Sequence, residues 1–416
     1  MRAARPHELA VLPTIEAASD ELFAEHGIGP LPRVVTTVDE LGRAAGVLVA
    51  GDPVVGFARL EVVGGESHLE QLSVHPAAAR RGVGGALVEA AAEWAALTGH
   101  DSLTLCTFAD VPWNMPFYLR HGFEVVEDLG PSLHALRASE RRIGLDGLGQ
   151  RVVMRRRVGP EAVLADLTAG LTTALGDHLV GLYAHGSLVY GDFAPARSDL
   201  DVLAVVARPP DEAMLAAVAP VHAALVARHP AWRGRIEVET CARSTVEMYA
   251  TGGHSNVSDR IMRISPGEAL HLLPATPHRV VTWAGVRNRG RALAGPPAVD
   301  VLPAIGRDVV RAAFLAHVRD WPLWVEDMRT VGGQAYSVLS LCRAWCLSDS
   351  GEQLSKRAAA DRAAEGLPRD APLVTWARDW WYAGGGDDEP DRHAEVQDFV
   401  RRTSLKILHD AGPATG

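Results

Sequence analysis

The stretch HGSLVYGDFAPARSDLDVLAVV, residues 185–206, decides how the middle of this chain folds and what it is built to bind. The run LVGLYAHG (179–186) reads as a strand entering a Gly-Ser turn, and DLDVLAVVA (199–207) as a second strand, half-buried where acidic and apolar residues alternate. Asp199 and Asp201 are two apart. On a strand that spacing points both carboxylates to one face, about 6.5–7 Å apart along the chain. Leu200 and Val202 point to the other. Two such carboxylates repel unless a cation lies between them, and Mg2+ takes hard oxygen ligands. Gly186 and Ser187 add a permissive turn, backbone donors and a hydroxyl suited to phosphate oxygens.

Two-metal chemistry calls for a third carboxylate, and RIEVET (235–240) offers one. On a strand, Ile236 and Val238 face one way while Glu237 and Glu239 face the other, so either glutamate completes the cluster. Its task would be to hold metal or to take the proton from a substrate hydroxyl. The attacking oxygen must lie in line with a leaving diphosphate, whose growing charge the metal offsets.

Gly159-Pro160 marks a boundary before this region. Upstream, GVLVAGDPVVGFARLEV (46–62) places two apolar runs around Gly51-Asp52-Pro53, a hairpin signal. HLEQLSV (68–74) reads as a further strand, SLTLCTF (102–108) as another, and RVVMRRRV (151–158) as the last. Between the first two lies Arg80-Arg81-Gly82-Val83-Gly84-Gly85-Ala86, which opens an alanine-rich helix closing near Gly99. Its glycines let the backbone approach a ligand, the first helical amides point outward, and two arginines add charge, which together suit a diphosphate. The spacing is not G-x-G-x-x-G, so no dinucleotide fold follows from it. Downstream, helices are expected over 161–178, 307–328, 336–348, 355–368, 371–384 and 391–412, with Ser355 as an N-cap and Pro368 beyond that helix's end. The tryptophans gathered here serve as core or as the floor of a sugar or nucleobase site.

Length and composition bound these readings. At roughly 150 residues per domain, 416 residues predict two or three domains. The composition, 47% hydrophobic and 22% charged, is that of an ordinary globular protein. Cys106, Cys241, Cys342 and Cys346 contain no C-x-x-C pair, which argues against a zinc knuckle or a disulfide framework. No apolar run reaches the ~20 residues that span a bilayer. The first 23 residues lack the continuous apolar core of a signal peptide, so a cytoplasmic enzyme is the expectation. The net charge of -10 argues against broad nucleic-acid binding and suits a cationic ligand.

Two resemblances sharpen this. HLEQLSVHP (68–76), RRGVGGALVEAAAEWA and VPWNMPFYLRHGFEVVE (111–127) resemble the GNAT-type N-acetyltransferases. Arg81-Gly82-Val83-Gly84-Gly85-Ala86 fits that family's R/Q-x-x-G-x-G/A loop, which implies an acetyl-CoA diphosphate on the amides from Gly82 to Ala86. The likeness implies Tyr118 as the acid that protonates the leaving thiolate. Glu70, between apolar neighbours on its strand, is the candidate base; His68 and His121 are weaker candidates, and Asn114 a candidate for backbone or cofactor binding.

Residues 160–412 resemble the aminoglycoside nucleotidyltransferases, nearest the streptomycin/spectinomycin 3''-adenylyltransferase group. The likeness is carried by 185–206, RIEVET, LAGPP (293–297) and YSVLSLCRAWCLSDSGEQLSKRAAADRAAEGLP (336–368). It implies phosphate contact by Ser187, Mg2+ held by Asp199 and Asp201, and Glu237 as base in an L/I-E-V pattern. Arg343 and Lys356 would reach ATP phosphates. The whole is then an α/β and α+β multidomain chain: a GNAT fold over 1–158, a polymerase-beta-like nucleotidyltransferase core over 159–265, and an all-helical substrate- and ATP-binding domain over 266–416. ATP and acetyl-CoA are the implied co-substrates, and a small cationic molecule, an aminoglycoside, the implied partner. The chain departs from the pattern in two places. Where the family places acids that hold the cationic drug, it reads VGGQAY (331–336), with Glu326 and Asp327 the nearest acids. CARSTVEMYATGGHSNVSDRIMR (241–263) lacks the drug-contacting tryptophan. A metabolite or protein acceptor, RNA, and a ligand sensor without catalysis are the competing readings.

Overall fold

The computed structural model describes residues 1–25, 27–32, 35–253, 260–386 and 388–411. Part of the atypical 241–263 segment (254–259) and the last residue of the expected 391–412 helix lie outside these. The chain divides into two compact units, residues 1–164 with 226–231, and residues 165–225 with 232–416.

The first unit is a seven-stranded sheet: β1 (Arg2–Ala3), β2 (Gly46–Ala50), β3 (Gly56–Val63), β4 (Glu66–Val74), β5 (Ser102–Phe108), β6 (Glu124–Val125) and β7 (Arg151–Arg157), in the order β1-β2-β3-β4-β5-β7-β6. Its helices are α1 (Leu12–Glu25), α2 (Val38–Arg43), α3 (Val83–Leu97), α4 (Met115–Arg120) and α5 (Pro131–Arg142). Apolar residues recur along α3 at Leu87, Val88, Ala91, Ala92, Ala95 and Ala96, a stripe that packs on Leu60, Leu69, Leu103 and Leu105. Leu12 and Ile15 of α1 pack with Val49 and Phe57. Neighbouring residues Phe57 and Ala58 are therefore both buried, because β3 is covered on both faces. All pairings are antiparallel except β4 with β5, which is parallel and confined to Ser67–Leu103 and His68–Thr104. Beyond His68 these two strands part, leaving a fork in the sheet.

The second unit holds β8 (Leu179–His185), β9 (Leu200–Val206), β10 (Ile236–Ala242), β11 (Arg260–Ser265), β12 (Glu268–Pro274) and β13 (Arg291–Ala294), in the order β12-β11-β10-β9-β8-β13. Only β9 and β10 run parallel. Helix α6 (Pro160–Leu175) precedes the sheet, and α7 (Ser187–Tyr190), α8 (Glu212–Arg228), α9 (Arg243–Ala250), α10 (Arg279–Arg289) and α11 (Ala298–Val301) are interspersed with it. Tyr183, Leu203, Val205, Cys241 and Trp283 of α10 share one core. The sheet thus continues past residue 265, through β12 and β13, whose side chains are mostly half-exposed or exposed.

A helical region follows: α12 (Arg307–Trp324), α13 (Val331–Ser350), α14 (Lys356–Gly366), α15 (Ala371–Ala383) and α16 (His393–Asp410). Helix α13 buries residues all round, among them Val338, Leu339, Leu341, Cys342, Trp345 and Cys346, as a helix enclosed by others must. It starts five residues before the expected 336, capped by Thr330, whose hydroxyl accepts from the Gly333 amide at 3.1 Å. Among the described residues no helix is long and apolar enough to cross a membrane.

Candidate functional site

Register builds the centre of the second unit. Asp201 of β9 is paired with His185 of β8 on one side and with Glu237 of β10 on the other, so three polar side chains form a row across three strands. Asp199 lies just before β9, which starts at Leu200, where the Leu200 amide bonds the Arg235 carbonyl. Gly186 has φ +66° and ψ −150°, a backbone conformation open to glycine alone, and a Cβ there would run into the Asp201 carboxylate. The Gly-Ser turn is pressed against Asp201, and Ser187 begins α7 directly after Gly186.

The electrostatics are those of buried negative charge that the neighbouring cations only partly offset. Burial, then Asp201, pushes the Asp199 carboxyl up to about 6, while Lys356 and Arg235 act the other way. Burial, then Glu237, pushes Asp201 up to about 7, opposed by Lys356 and Arg343. Lys356, the first residue of α14, is held down to about 8 by burial and by Arg343, and the aspartates oppose this. Its ammonium sits over two rings, 4.3 Å from the centre of Trp381 and 4.9 Å from that of Tyr336. Arg343 is fixed by a bond from Nε to the Leu354 carbonyl at 3.2 Å. A cavity of about 470 Å³ is lined by His185, Gly186, Asp201, Glu237, Tyr336 and Arg343. A larger one of about 900 Å³ shares Tyr190, Arg289 and Gln353 with it and reaches none of the carboxylates at the centre.

The two glutamates of β10 part company. Glu239 is buried, accepts from Trp283 Nε1 at 2.7 Å and pairs with Arg279 at 2.9 Å. Glu237 is half-exposed and pairs with Arg263 of β11 at 3.2 Å. Glu237 therefore faces Asp201, and Glu239 is tied to α10. Among the described residues no three His, Cys, Asp or Glu side chains are gathered tightly enough to hold a metal ion. Of the expected triad of Asp199, Asp201 and Glu237, the glutamate is paired with Arg263 of β11. The aspartate pair by itself, two desolvated oxygen donors of which Asp201 raises the proton affinity of Asp199, has the chemistry of a divalent-cation site.

In the first unit, Gly82 caps α3 with φ +80°, and Arg80 also has positive φ (59°), so the chain turns sharply into the helix. Arg81 is exposed. The Ala86 amide bonds the Gly82 carbonyl at 3.0 Å, which limits the open helical amides to Val83, Gly84 and Gly85. Tyr118 of α4 packs between Phe117 and Phe123 in the α3 core, and burial pushes its phenol well up, so it keeps its proton. Glu70 stands at a bulge of β4, and its carboxylate is 3.7 Å from His68 Nε2. His121 bonds Glu89 at 2.8 Å, and Glu89 in turn accepts from the two terminal nitrogens, Nη1 and Nη2, of Arg156. Asn114 caps α4 through its carbonyl, which accepts from the Phe117 and Tyr118 amides. His185, Arg263, Tyr336 and Trp381 are the site neighbours that sequence reasoning missed. Only His185, beside the Gly-Ser turn, carried a local signal.

Comparison with known proteins agrees with this division. Residues 43–125 match the acetyltransferase (GNAT) domain family, and residues 300–406 match the aminoglycoside adenylyltransferase C-terminal domain family. The two matches fall in different units, the first in the unit that holds β1–β7 and the second in the unit that holds β8–β13. Among solved structures, it is similar to a spectinomycin adenyltransferase from Enterococcus faecialis, crystallised with ATP and spectinomycin (16% identity, 59% of this chain and 99% of that one, TM-score 0.48). It is also similar to the PaiA N-acetyltransferase from Thermoplasma acidophilum in complex with coenzyme A (18%, 38% and 96%, TM-score 0.28). A third is the ribosomal-protein-S18-alanine N-acetyltransferase from Escherichia coli (17%, 38% and 92%, TM-score 0.28).

Proposed function

We propose that the chain is a two-headed transferase. The second unit moves an adenylyl group from ATP to a hydroxyl of an aminoglycoside in a Mg2+-dependent reaction, and the first moves an acetyl group from acetyl-CoA to an amine. The observation that carries the adenylyl half is the row His185–Asp201–Glu237, closed on one side by Gly186 and faced by Lys356 and Arg343. Asp199 and Asp201 would hold Mg2+, which supplies positive charge to the transferred phosphoryl oxygens. Ser187, Arg343 and Lys356 would bind the ATP phosphates. Glu237, turned from Arg263, would take the hydroxyl proton. In the acetyl half, the amides of Val83 to Gly85 with Arg81 would receive the coenzyme diphosphate, Glu70 would accept the amine proton and Tyr118 would protonate the thiolate.

The test is product mass after incubation of a panel of aminoglycosides with ATP and MgCl2. Adenylyl addition by the wild type, lost in Asp201→Asn, supports the reading; the same addition by that variant sinks it. One observation favours another acceptor for the same chemistry. The helix that should open with acids begins VGGQAY, and Glu326, one of the nearest acids, pairs with Arg401 at 3.5 Å. A neutral hydroxyl metabolite modified faster than any drug in the panel would establish that second reading.

A further inference from the structure

We propose that Asp192 is a positioning residue for adenylyl transfer: it fastens the Gly-Ser turn to the start of α14, so that Ser187 and Lys356 meet the ATP phosphates at one set spacing. This rests on the adenylyl-transfer reading of the second unit and adds to it a residue outside the ligand set named there.

Gly191, with φ +75°, turns the chain back after α7, and the Asp192 amide then donates to the Ser187 carbonyl at 3.2 Å. The backbone of Asp192 is thus tied to the residue that would bind phosphate. Its side chain reaches α14 and α15. Oδ2 accepts from the Arg357 amide at 3.2 Å and from the Tyr382 hydroxyl at 2.7 Å. Arg357 is the second residue of α14, directly after Lys356. The first amides of a helix have no partner inside it. Here the Ala358 amide goes to the Ser355 hydroxyl at 3.2 Å and the Arg357 amide to Asp192. The start of α14, and Lys356 with it, is therefore held by the loop that carries Ser187.

The bond from Tyr382 is built to persist. Burial, then the hydrogen bond to Asp192, pushes the phenol well up, so the hydroxyl stays a donor. The Arg357 guanidinium lies 4.1 Å from the centre of the same ring. Successive helical residues point about 100° apart, and the three rings that end α15 each meet a different part of the site. Trp380 carries the Arg197 guanidinium at 3.6 Å, Trp381 carries Lys356 at 4.3 Å and Tyr382 holds Asp192. The loop between Asp192 and Asp199 is braced as well. The Ala194 amide donates to the Ser198 hydroxyl at 2.9 Å, and Arg235 Nη2 donates to the carbonyls of Pro195 at 2.6 Å and Ser198 at 2.5 Å. A loop so braced passes a shift at Asp192 on to Ser187 and Asp199. Misplacing a reacting group by about 1 Å slows a reaction about 100-fold.

The test uses the full chain with ATP and MgCl2 and reads ATP affinity by calorimetry. Asp192→Ala removes the acceptor, Asp192→Asn keeps an acceptor oxygen without the charge, and each is combined with Ser187→Ala. ATP affinity should fall about tenfold in Asp192→Ala and recover at least to within about twofold of the wild type in Asp192→Asn. Ser187→Ala should weaken binding in the wild type and in Asp192→Asn but have little effect in Asp192→Ala, where the serine is already out of place. Unaltered affinity in Asp192→Ala, an equal loss in Asp192→Asn, or the same effect of Ser187→Ala in every background overturns the proposal. Absence of ATP binding by the wild type overturns instead the adenylyl-transfer reading on which it rests.

Discussion

Replacing Asp201 by asparagine should make the second unit more stable while abolishing its chemistry, and the gain should depend on pH. The Asp201 carboxyl is raised from 3.8 to about 7, first by burial and then by Glu237. That rise corresponds to about 4 kcal/mol of penalty on the ionised form in the folded state. The folded protein keeps the proton between about pH 4 and about pH 7, where the unfolded chain has lost it. Stability from this group is therefore greatest below about pH 4, declines as pH climbs through that window and levels off above it. Asp201→Asn cannot ionise and removes the decline. Urea unfolding followed by tryptophan fluorescence suits the measurement, because Trp283, Trp321 and Trp345 are buried in this unit. Without divalent cations the variant should exceed the wild type by up to about 4 kcal/mol near pH 8 and match it near pH 4. Added MgCl2 near pH 8 should raise the wild type and leave the variant unmoved. A variant less stable than the wild type near pH 8, or a difference independent of pH, would refute the burial of an incompletely compensated carboxylate at 201.

Glu239→Gln breaks the buried pair with Arg279 and should cost about 3–5 kcal/mol in chemical unfolding. Glu237→Gln loses only the half-exposed pair with Arg263, should change stability by less than about 1 kcal/mol, and should slow adenylyl transfer at least about 100-fold. Gly186→Ala forces a side chain into a glycine-only conformation at about 1–3 kcal/mol and displaces Asp201, so thermal stability and transfer should fall together. Trp381→Leu removes a ring face from the Lys356 ammonium, and steady-state kinetics should show KM for ATP rising about 3–10-fold with a smaller effect on kcat.

Local pattern made much of this architecture legible. The two-residue period of DLDVL and RIEVE told which carboxylates share a face, and the alanine stripe and glycine start of 82–97 told where α3 begins and which side it buries. What escaped depended on partners distant in sequence. The choice between Glu237 and Glu239 turns on Trp283 and Arg279, 44 and 40 residues after Glu239, and on the parallel register that sets Glu237 beside Asp201. His185 acquires its place only through an antiparallel pairing. Strands β12 and β13 are largely half-exposed or exposed, and so lack the apolar alternation that marks a strand. The motif likeness extended the coenzyme cradle to Ala86, but that amide is the first to enter the helical hydrogen-bond ladder. Exposure was equally hidden: the burial of Tyr118 comes from the α3 core, with Leu87, Leu103 and Met154, which lie well away in sequence.

The central claim is that one chain performs two transfers at two independent sites. The direct measurement is mass spectrometry of aminoglycosides incubated with the wild type, with Asp201→Asn and with Glu70→Gln, each supplied with ATP, MgCl2 and acetyl-CoA together. The wild type should add both an adenylyl and an acetyl group, Asp201→Asn only the acetyl group, and Glu70→Gln chiefly the adenylyl group. Loss of both additions in either single variant, with the protein still folded, or adenylyl addition surviving in Asp201→Asn, would contradict it.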